Sequence, residues 1–165
     1  MFNILGPLTN PAGAKAQVLG VAEESLVKKL ASVLQSLGCE HALVVHGEDG
    51  LDEITITGKT HICELKDGSI KSYYISPQDF GLSQAALGDL RGGSASENAA
   101  LLRDLLGGAL GPPRDAVVMN AAAALLAGDR VRTLRQGVGL AQEVIDSGRA
   151  LTKLEQLIRL SQSLA

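Results

Sequence analysis

Hydrophobic positions along this chain fall into two regimes: short apolar runs up to residue 75, and a period near 3.6 residues from residue 92 onward. In the first regime, residues 17–21 form a short apolar run that predicts a strand. Leu26, Val27, Leu30, Val33, Leu34 and Leu37 then recur at helical spacing, and Gly38 supplies a left-handed stop. Residues 42–46 are continuously apolar apart from His46, the pattern of a strand covered on both faces as in a parallel sheet. Strand, helix and strand therefore read as a right-handed βαβ unit. Residues 51–57 alternate, and 61–65 and 70–75 form two further runs around Lys66-Asp67-Gly68-Ser69, a hairpin turn with Gly where positive φ is needed. Before all of this, Gly6, Pro7, Asn10, Pro11 and Gly13 are dense enough to predict irregular backbone over residues 5–14.

The second regime predicts four helices. Ser94 with Glu97 fits a capping box, and Leu101, Leu102 and Leu105 follow before Gly107. Pro112 and Pro113 pre-set the first turn of the next helix, which carries Val117, Val118, Ala121, Leu125 and Leu126 before Gly128. Thr133 with Gln136 opens a third, with Leu134, Val138, Ala141 and Ile145 on one face as far as Gly148. A last one places Leu151, Leu154, Leu157, Ile158 and Leu164 together. The expected fold is α/β, a largely parallel sheet with a hairpin flanked by helices, its second half mostly helical. Residues 1–165 read as one piece, because the Gly-Pro stretch at 107–113 looks like a helix connection and no repeat or low-complexity tract divides the chain.

Composition narrows the function classes. At 165 residues with 45% hydrophobic content the chain is long enough for one globular core. Only 2% of residues are aromatic and there is no Trp, which argues against a base-stacking nucleic-acid platform. The net charge of -3 argues against an extended polyanion partner. Cys39 and Cys63 are too few and too far apart for a disulfide framework and read as buried thiols. No apolar run reaches the roughly 20 residues that span a bilayer. A cytoplasmic protein without nucleic-acid or membrane partners is the expectation.

Chemistry concentrates after the strand at 42–46. Glu48, Asp49, Asp52 and Glu53 place four acidic residues within six positions, among Gly47 and Gly50. In an open α/β sheet, ligands collect outside the carboxyl ends of strands. Such hard oxygen donors suit Mg²⁺, which keeps several waters and shares one or two carboxylates with a substrate phosphate. Asp52 and Glu53 converge only if their backbone is a turn or bulge, and an acidic solvated turn is the commoner origin of such a run. Gly6-Pro7 and Asn10-Pro11 are either plain turn punctuation or a rigid loop shaping a flat apolar slot for a planar ligand. His41, His46 and His61 lack metal-ligand spacing and read as structural. Asn98 and Asn120 read as caps or buried hydrogen-bonders, and no catalytic nucleophile is evident.

The blocks FNILGPLTNPA, VVHGEDGLDEITITG, ISPQDFGL, ENAALLRDLLGG and VVMNAAAALLAG, in uninterrupted order, closely resemble the carboxyl-terminal portion of the anthranilate phosphoribosyltransferases of glycosyltransferase family 3. The resemblance implies an enzyme of tryptophan biosynthesis that moves the phosphoribosyl group of phosphoribosyl pyrophosphate onto the amine of anthranilate. It implies Mg²⁺ held by Asp52 and Glu53, and Gly6 and Pro7 along the anthranilate path. It further implies that the family's amino-terminal helical domain, Gly-rich phosphate loop, Lys-His-Gly-Asn segment and anthranilate-contacting Arg lie before residue 1, with Met1 in an aliphatic slot of the first block. The resulting expectation is a chain inactive alone, with a strand edge and apolar surface covered by its missing half or a homo-oligomeric partner. A pyrimidine nucleoside phosphorylase-like enzyme and a non-catalytic binding module of the same fold are the alternatives. The FNILGPLTNP run with the Asp-Glu pair weighs against the first, and the acidic balance against the second.

Overall fold

The computed structural model describes residues 2–164, and the side chains of residues 5–164. Met1, with its expected place in the first sequence block, lies outside the described residues. The elements are α1 (Phe2–Leu8), β1 (Ala16–Gly20), α2 (Glu24–Ser36), β2 (His41–Gly47), β3 (Thr60–Lys66), β4 (Ser69–Ile75), α3 (Ala95–Leu106), α4 (Pro112–Ala127), α5 (Leu134–Asp146) and α6 (Arg149–Ser163), with single 3₁₀ turns at Pro77–Phe80 and Leu87–Leu90.

The strands form one sheet in the order β1-β2-β3-β4. β1 and β2 are parallel and joined by α2, whereas β2 with β3 and β3 with β4 are antiparallel. The architecture is α/β as expected, but the sheet is mixed, with one parallel pair, where a largely parallel one was expected. The apolar run in β2 arises from helices on both faces of the sheet. Ala42 and Val44 pack with Val27, Leu30, Ala31 and Leu34 of α2, while Leu43 and Val45 face Val118, Met119 and Ala122 of α4 and Val138 and Ala141 of α5. A central strand buried on both sides reads the same whichever way its neighbours run.

The hairpin between β3 and β4 turns through Asp67 (φ 48°) and Gly68 (φ 73°), the paired positive φ values that match the strands' twist. Ser94 caps α3 by accepting from the Glu97 N–H, while the Glu97 carboxylate takes the Ser94 N–H at 2.7 Å. Thr133 likewise accepts from Gln136 N–H, but the Gln136 amide oxygen turns to the Arg132 N–H, so the reciprocal half of that box is shifted by one residue.

Two expectations are corrected. Residues 5–14 are not wholly irregular, because α1 runs through Gly6 and Pro7 to Leu8. Pro7 has no N–H to give and its ring crowds the preceding turn, which fits a helix that stops one residue later, and the Thr9 N–H and hydroxyl, both donating to the Leu5 carbonyl, close the final turn. Residues 51–57 alternate in sequence yet form no strand. Ile54, Thr55 and Ile56 are buried in succession, and side chains take the place of a ladder, as described below.

Along α6, Leu151, Leu154 and Ile158 are half-buried, whereas Leu157 (60%) and Leu164 (80%) are largely exposed. β1 lies at one edge of the sheet. Among the described residues no helix is long and apolar enough to cross a membrane.

Candidate metal-binding cleft

β2 delivers the chain to a tight turn at its carboxyl end, where the Gly50 N–H donates to the Gly47 carbonyl and the Gly47 N–H to the Leu51 carbonyl, both at 2.9 Å. Asp49 folds inward over this turn. Its Oδ1 accepts from the Leu51 N–H at 3.1 Å, and its Oδ2 accepts from the hydroxyls of Thr55 and Thr57, each at 2.5 Å. A Cβ on Gly47 would lie 2.5 Å from Asp49 Oδ1, so glycine is required beneath this carboxylate. Partial burial pushes the Asp49 carboxyl upward, but the two hydroxyls and the backbone N–H outweigh it and hold the group below the usual carboxylate range. Glu48 turns elsewhere, its Oε2 accepting from the Lys59 N–H at 3.3 Å, and it lines a separate groove with Tyr74 and Ser76. The four acidic residues of this run therefore do not converge. Two are used by the loop itself, Asp49 and Glu48 accepting from its own N–H and hydroxyl groups.

Asp52 and Glu53 are exposed and line one cleft of about 680 Å³ with Leu87, Leu90, Arg91 and Pro113, within the size range of small-molecule sites. Their backbone is held from both sides. On one side the Asp52 peptide lies directly against Gly20 at the end of β1, so close that any side chain at Gly20 would collide with the Asp52 carbonyl. On the other side Asn120 of α4 binds Ile54 twice: the Ile54 N–H donates to Asn120 Oδ1 at 3.0 Å, and Asn120 Nδ2 donates to the Ile54 carbonyl at 2.8 Å. Beyond it the Thr55 N–H donates to Thr60 Oγ1, the Thr57 N–H to Thr55 Oγ1, and the Ile56 carbonyl accepts from the Ala85 N–H. The segment between β2 and β3 is thus stitched by side chains, giving the turn that two adjacent carboxylates need to face one space.

The segment that follows Arg91, another residue of the cleft, is held in the same way. Asn98 of α3 accepts from the Gly93 N–H at 2.8 Å and donates to the Gly93 carbonyl at 3.1 Å. Any side chain on Gly92 or Gly93 would press on Asn98 or Glu97. The reading of both asparagines as hydrogen-bonders matches these contacts. Their service to segments beside one cleft escapes sequence reasoning, and the available signal is a lone amide within the apolar run VVMNAAAALLA.

Among the described residues no group of three or more His, Cys, Asp or Glu side chains is arranged as a metal cage. Two neighbouring carboxylates on an open cleft, hard donors with room for water and phosphate oxygens, do fit Mg²⁺, which does not need a cage made wholly of protein.

Gly6 and Pro7 lie elsewhere. Gly6 is exposed, and Pro7 lines a cavity of about 210 Å³ with Leu8, Lys15, Gly38 and Cys39. Lys15 precedes β1 and Cys39 precedes β2, so this cavity sits at the end of the parallel pair remote from Asp52. The structure does not bring the two predicted site segments together within this chain. The histidines have structural partners: His41 is buried between Glu64 and Asp129 at 3.3 Å each, His46 Nδ1 donates to the Val21 carbonyl at 2.8 Å, and His61 stacks on Tyr74 at 4.6 Å. Cys63 is buried and Cys39 half-buried, both as thiols.

Residues 1–151 match the family described as glycosyl transferase family, a/b domain. An anthranilate phosphoribosyltransferase of Methanobrevibacter smithii is 53% identical over 163 residues, which cover 99% of this chain and 49% of that protein. One from Azorhizobium caulinodans is 54% identical, covering 100% and 48%. Among solved structures, the Thermus thermophilus anthranilate phosphoribosyltransferase superposes with a TM-score of 0.85 at 46% identity, covering 94% of this chain and 46% of that one. The Saccharomyces cerevisiae enzyme in complex with PRPP and Mg gives 0.86 at 32% identity, covering 98% and 47%. The chain thus spans about half the length of the relatives it matches.

Proposed function

We propose, from the premise that the chain belongs to the glycosyl transferase family through its α/β domain, that it is the metal-holding portion of an anthranilate phosphoribosyltransferase acting in tryptophan biosynthesis. The observation that carries this reading is the pair Asp52 and Glu53, placed on one cleft beyond the carboxyl ends of β1 and β2 by a backbone pinned at Gly20 and Asn120. Relatives of this sequence bear that enzyme's name, and the Saccharomyces cerevisiae relative is solved in complex with PRPP and Mg and, separately, with 4-fluoroanthranilate.

In this reading Asp52 and Glu53 would hold Mg²⁺, which when bound would supply positive charge for pyrophosphate oxygens. The residues of this chain contribute position. Both carboxylates are presented on a fixed loop, and Arg91 places a cation in the same cleft, where diphosphate oxygens would sit. The amine of anthranilate attacks the ribose carbon as pyrophosphate leaves, so no protein nucleophile is called for. The Gly6-Pro7 segment, remote from the cleft in this chain, is assigned to the anthranilate path. Turnover would also draw on the half of the relatives' length that this chain does not span. A cytoplasmic setting, homodimeric assembly and cover for β1 and the leucines of α6 belong to the same reading.

Calorimetry of phosphoribosyl pyrophosphate binding, with and without Mg²⁺, tests it on this chain and on a form extended at its amino side to the relatives' length. The expected result is Mg²⁺-dependent binding that Asp52→Asn and Glu53→Gln each weaken at least tenfold, with turnover only in the extended form. Absence of binding in both forms, or binding indifferent to Mg²⁺ and to both substitutions, would overturn it.

A further inference from the structure

We propose that Asn120 is a positioning residue for the Asp52–Glu53 pair, clamping the Ile54 peptide so that both carboxylates stay on the cleft; this rests on the metal reading above. Ile54 is two residues from Asp52 and adjacent to Glu53, in a segment with no strand ladder to fix it. Its N–H and carbonyl are both satisfied by the one amide, at 3.0 and 2.8 Å. That amide is itself aimed: Nδ2 also donates to the Ala116 carbonyl one turn earlier in α4, at 3.0 Å. α4 in turn is seated in the core through Val118, Met119 and Ala122, the same core that receives the Ile54 side chain. The carboxylates hang between two fixed points, the Gly20 contact at Asp52 and the Asn120 clamp at Ile54.

The amide offers donor and acceptor from separate atoms of one planar group, whereas a carboxylate lacks the donor, an aliphatic side chain lacks both, and the serine hydroxyl has a single oxygen on a shorter stem. The Asn98 clamp on Gly93, two residues from Arg91, is the same device. A residue that merely satisfied buried backbone would contribute to stability alone. One that aims the carboxylates also sets metal affinity.

The test uses Mn²⁺ as the probe, titrated by electron paramagnetic resonance, with amide hydrogen exchange read by NMR at residues 52–54. Asn120→Leu is expected to weaken Mn²⁺ binding at least fivefold and to expose the Ile54 amide to exchange. Val118→Ala, a core truncation on the same helix that leaves the Asn120 amide in place, should lower the melting temperature yet keep wild-type Mn²⁺ affinity and Ile54 protection. Asn120→Ser, a smaller change, gives the same comparison should the leucine variant not fold. The inference is overturned if a folded Asn120 variant binds Mn²⁺ like the wild type, or if Val118→Ala weakens binding equally. Failure of the metal reading looks different: Asp52→Asn/Glu53→Gln would then leave Mn²⁺ binding unchanged. If instead that double variant abolishes binding while Asn120 variants do not, the positioning role alone fails.

Discussion

The hairpin β3–β4 and the segment between β2 and β3 are neighbours on the same sheet, yet they are held by opposite means. The hairpin is a ladder of backbone pairs from Thr60↔Ile75 to Lys66↔Ser69, bonds that call for no particular side chain. In the segment 48–59, most backbone bonds have a side chain as one partner: Asp49, Thr55, Thr60 and Asn120 stand where another strand would. The difference teaches where specificity lies. A ladder accepts most sequences of suitable pattern, whereas the stitched loop depends on individual oxygens and nitrogens, and it is the loop that carries the two carboxylates of the cleft.

Core truncation should mark the upper limit of the contrast. Leu43→Ala, at a fully buried position beneath the sheet, is expected to cost about 3 kcal/mol in urea unfolding, leaving the chemical shifts of residues 52–54 nearly unchanged in the folded state. A cut at the centre of the stitching comes next. Asp49→Ala strands the Thr55 and Thr57 hydroxyls and the Leu51 N–H, and should cost about 2 kcal/mol, with accelerated amide exchange confined to residues 48–57. If exchange instead rises equally in β3 and β4, loop and ladder are one unit and the contrast is lost.

Thr55→Val removes one hydroxyl at constant shape and is expected to cost about 1 kcal/mol by thermal unfolding. In the hairpin turn the strain is the backbone's own. Gly68→Ala puts a side chain on a left-handed backbone at φ 73° and should cost about 1 kcal/mol, with the loop's exchange rates unaltered.

Acid sharpens the same comparison. The Asp49 carboxyl is held below its unfolded-state value, so its contribution is complete above the unfolded pKa of about 3.9 and is lost as pH falls through the lower folded value. Stability of the wild type should therefore fall as pH is lowered through that window, and Asp49→Asn should show a shallower slope there. Equal slopes in the two proteins, measured by urea titration at successive pH values, would remove Asp49 from the account.

What could be read in advance follows the same division. The apolar run of β2, the positive-φ turn at Asp67 and Gly68, the Ser94–Glu97 box and the helix stops at Gly38 and Gly148 are local, because periodicity and turn chemistry act over a few residues. Direction of pairing was less legible. β2 is equally apolar beside a parallel or an antiparallel neighbour, since helices cover both of its faces. The alternation at residues 51–57 misled because Thr55 and Thr57 are turned to Asp49 and not to solvent. The Asn120–Ile54 bonds join residues 66 apart and leave no period at all. Asp52 and Glu53 could be picked out by residue type and resemblance, but their separation from Glu48 and Asp49 is settled only by the loop's own hydrogen bonds.

Gly20 brings β1 and the Asp52 peptide into direct contact, with no intervening side chain to bend or re-rotamerise. Such a junction leaves no soft atoms between strand and loop, so the carbonyl of Asp52 takes its position from the end of β1. Since β1 is also an outer strand of this sheet, the border of the sheet and the cleft carboxylates share one fixed point.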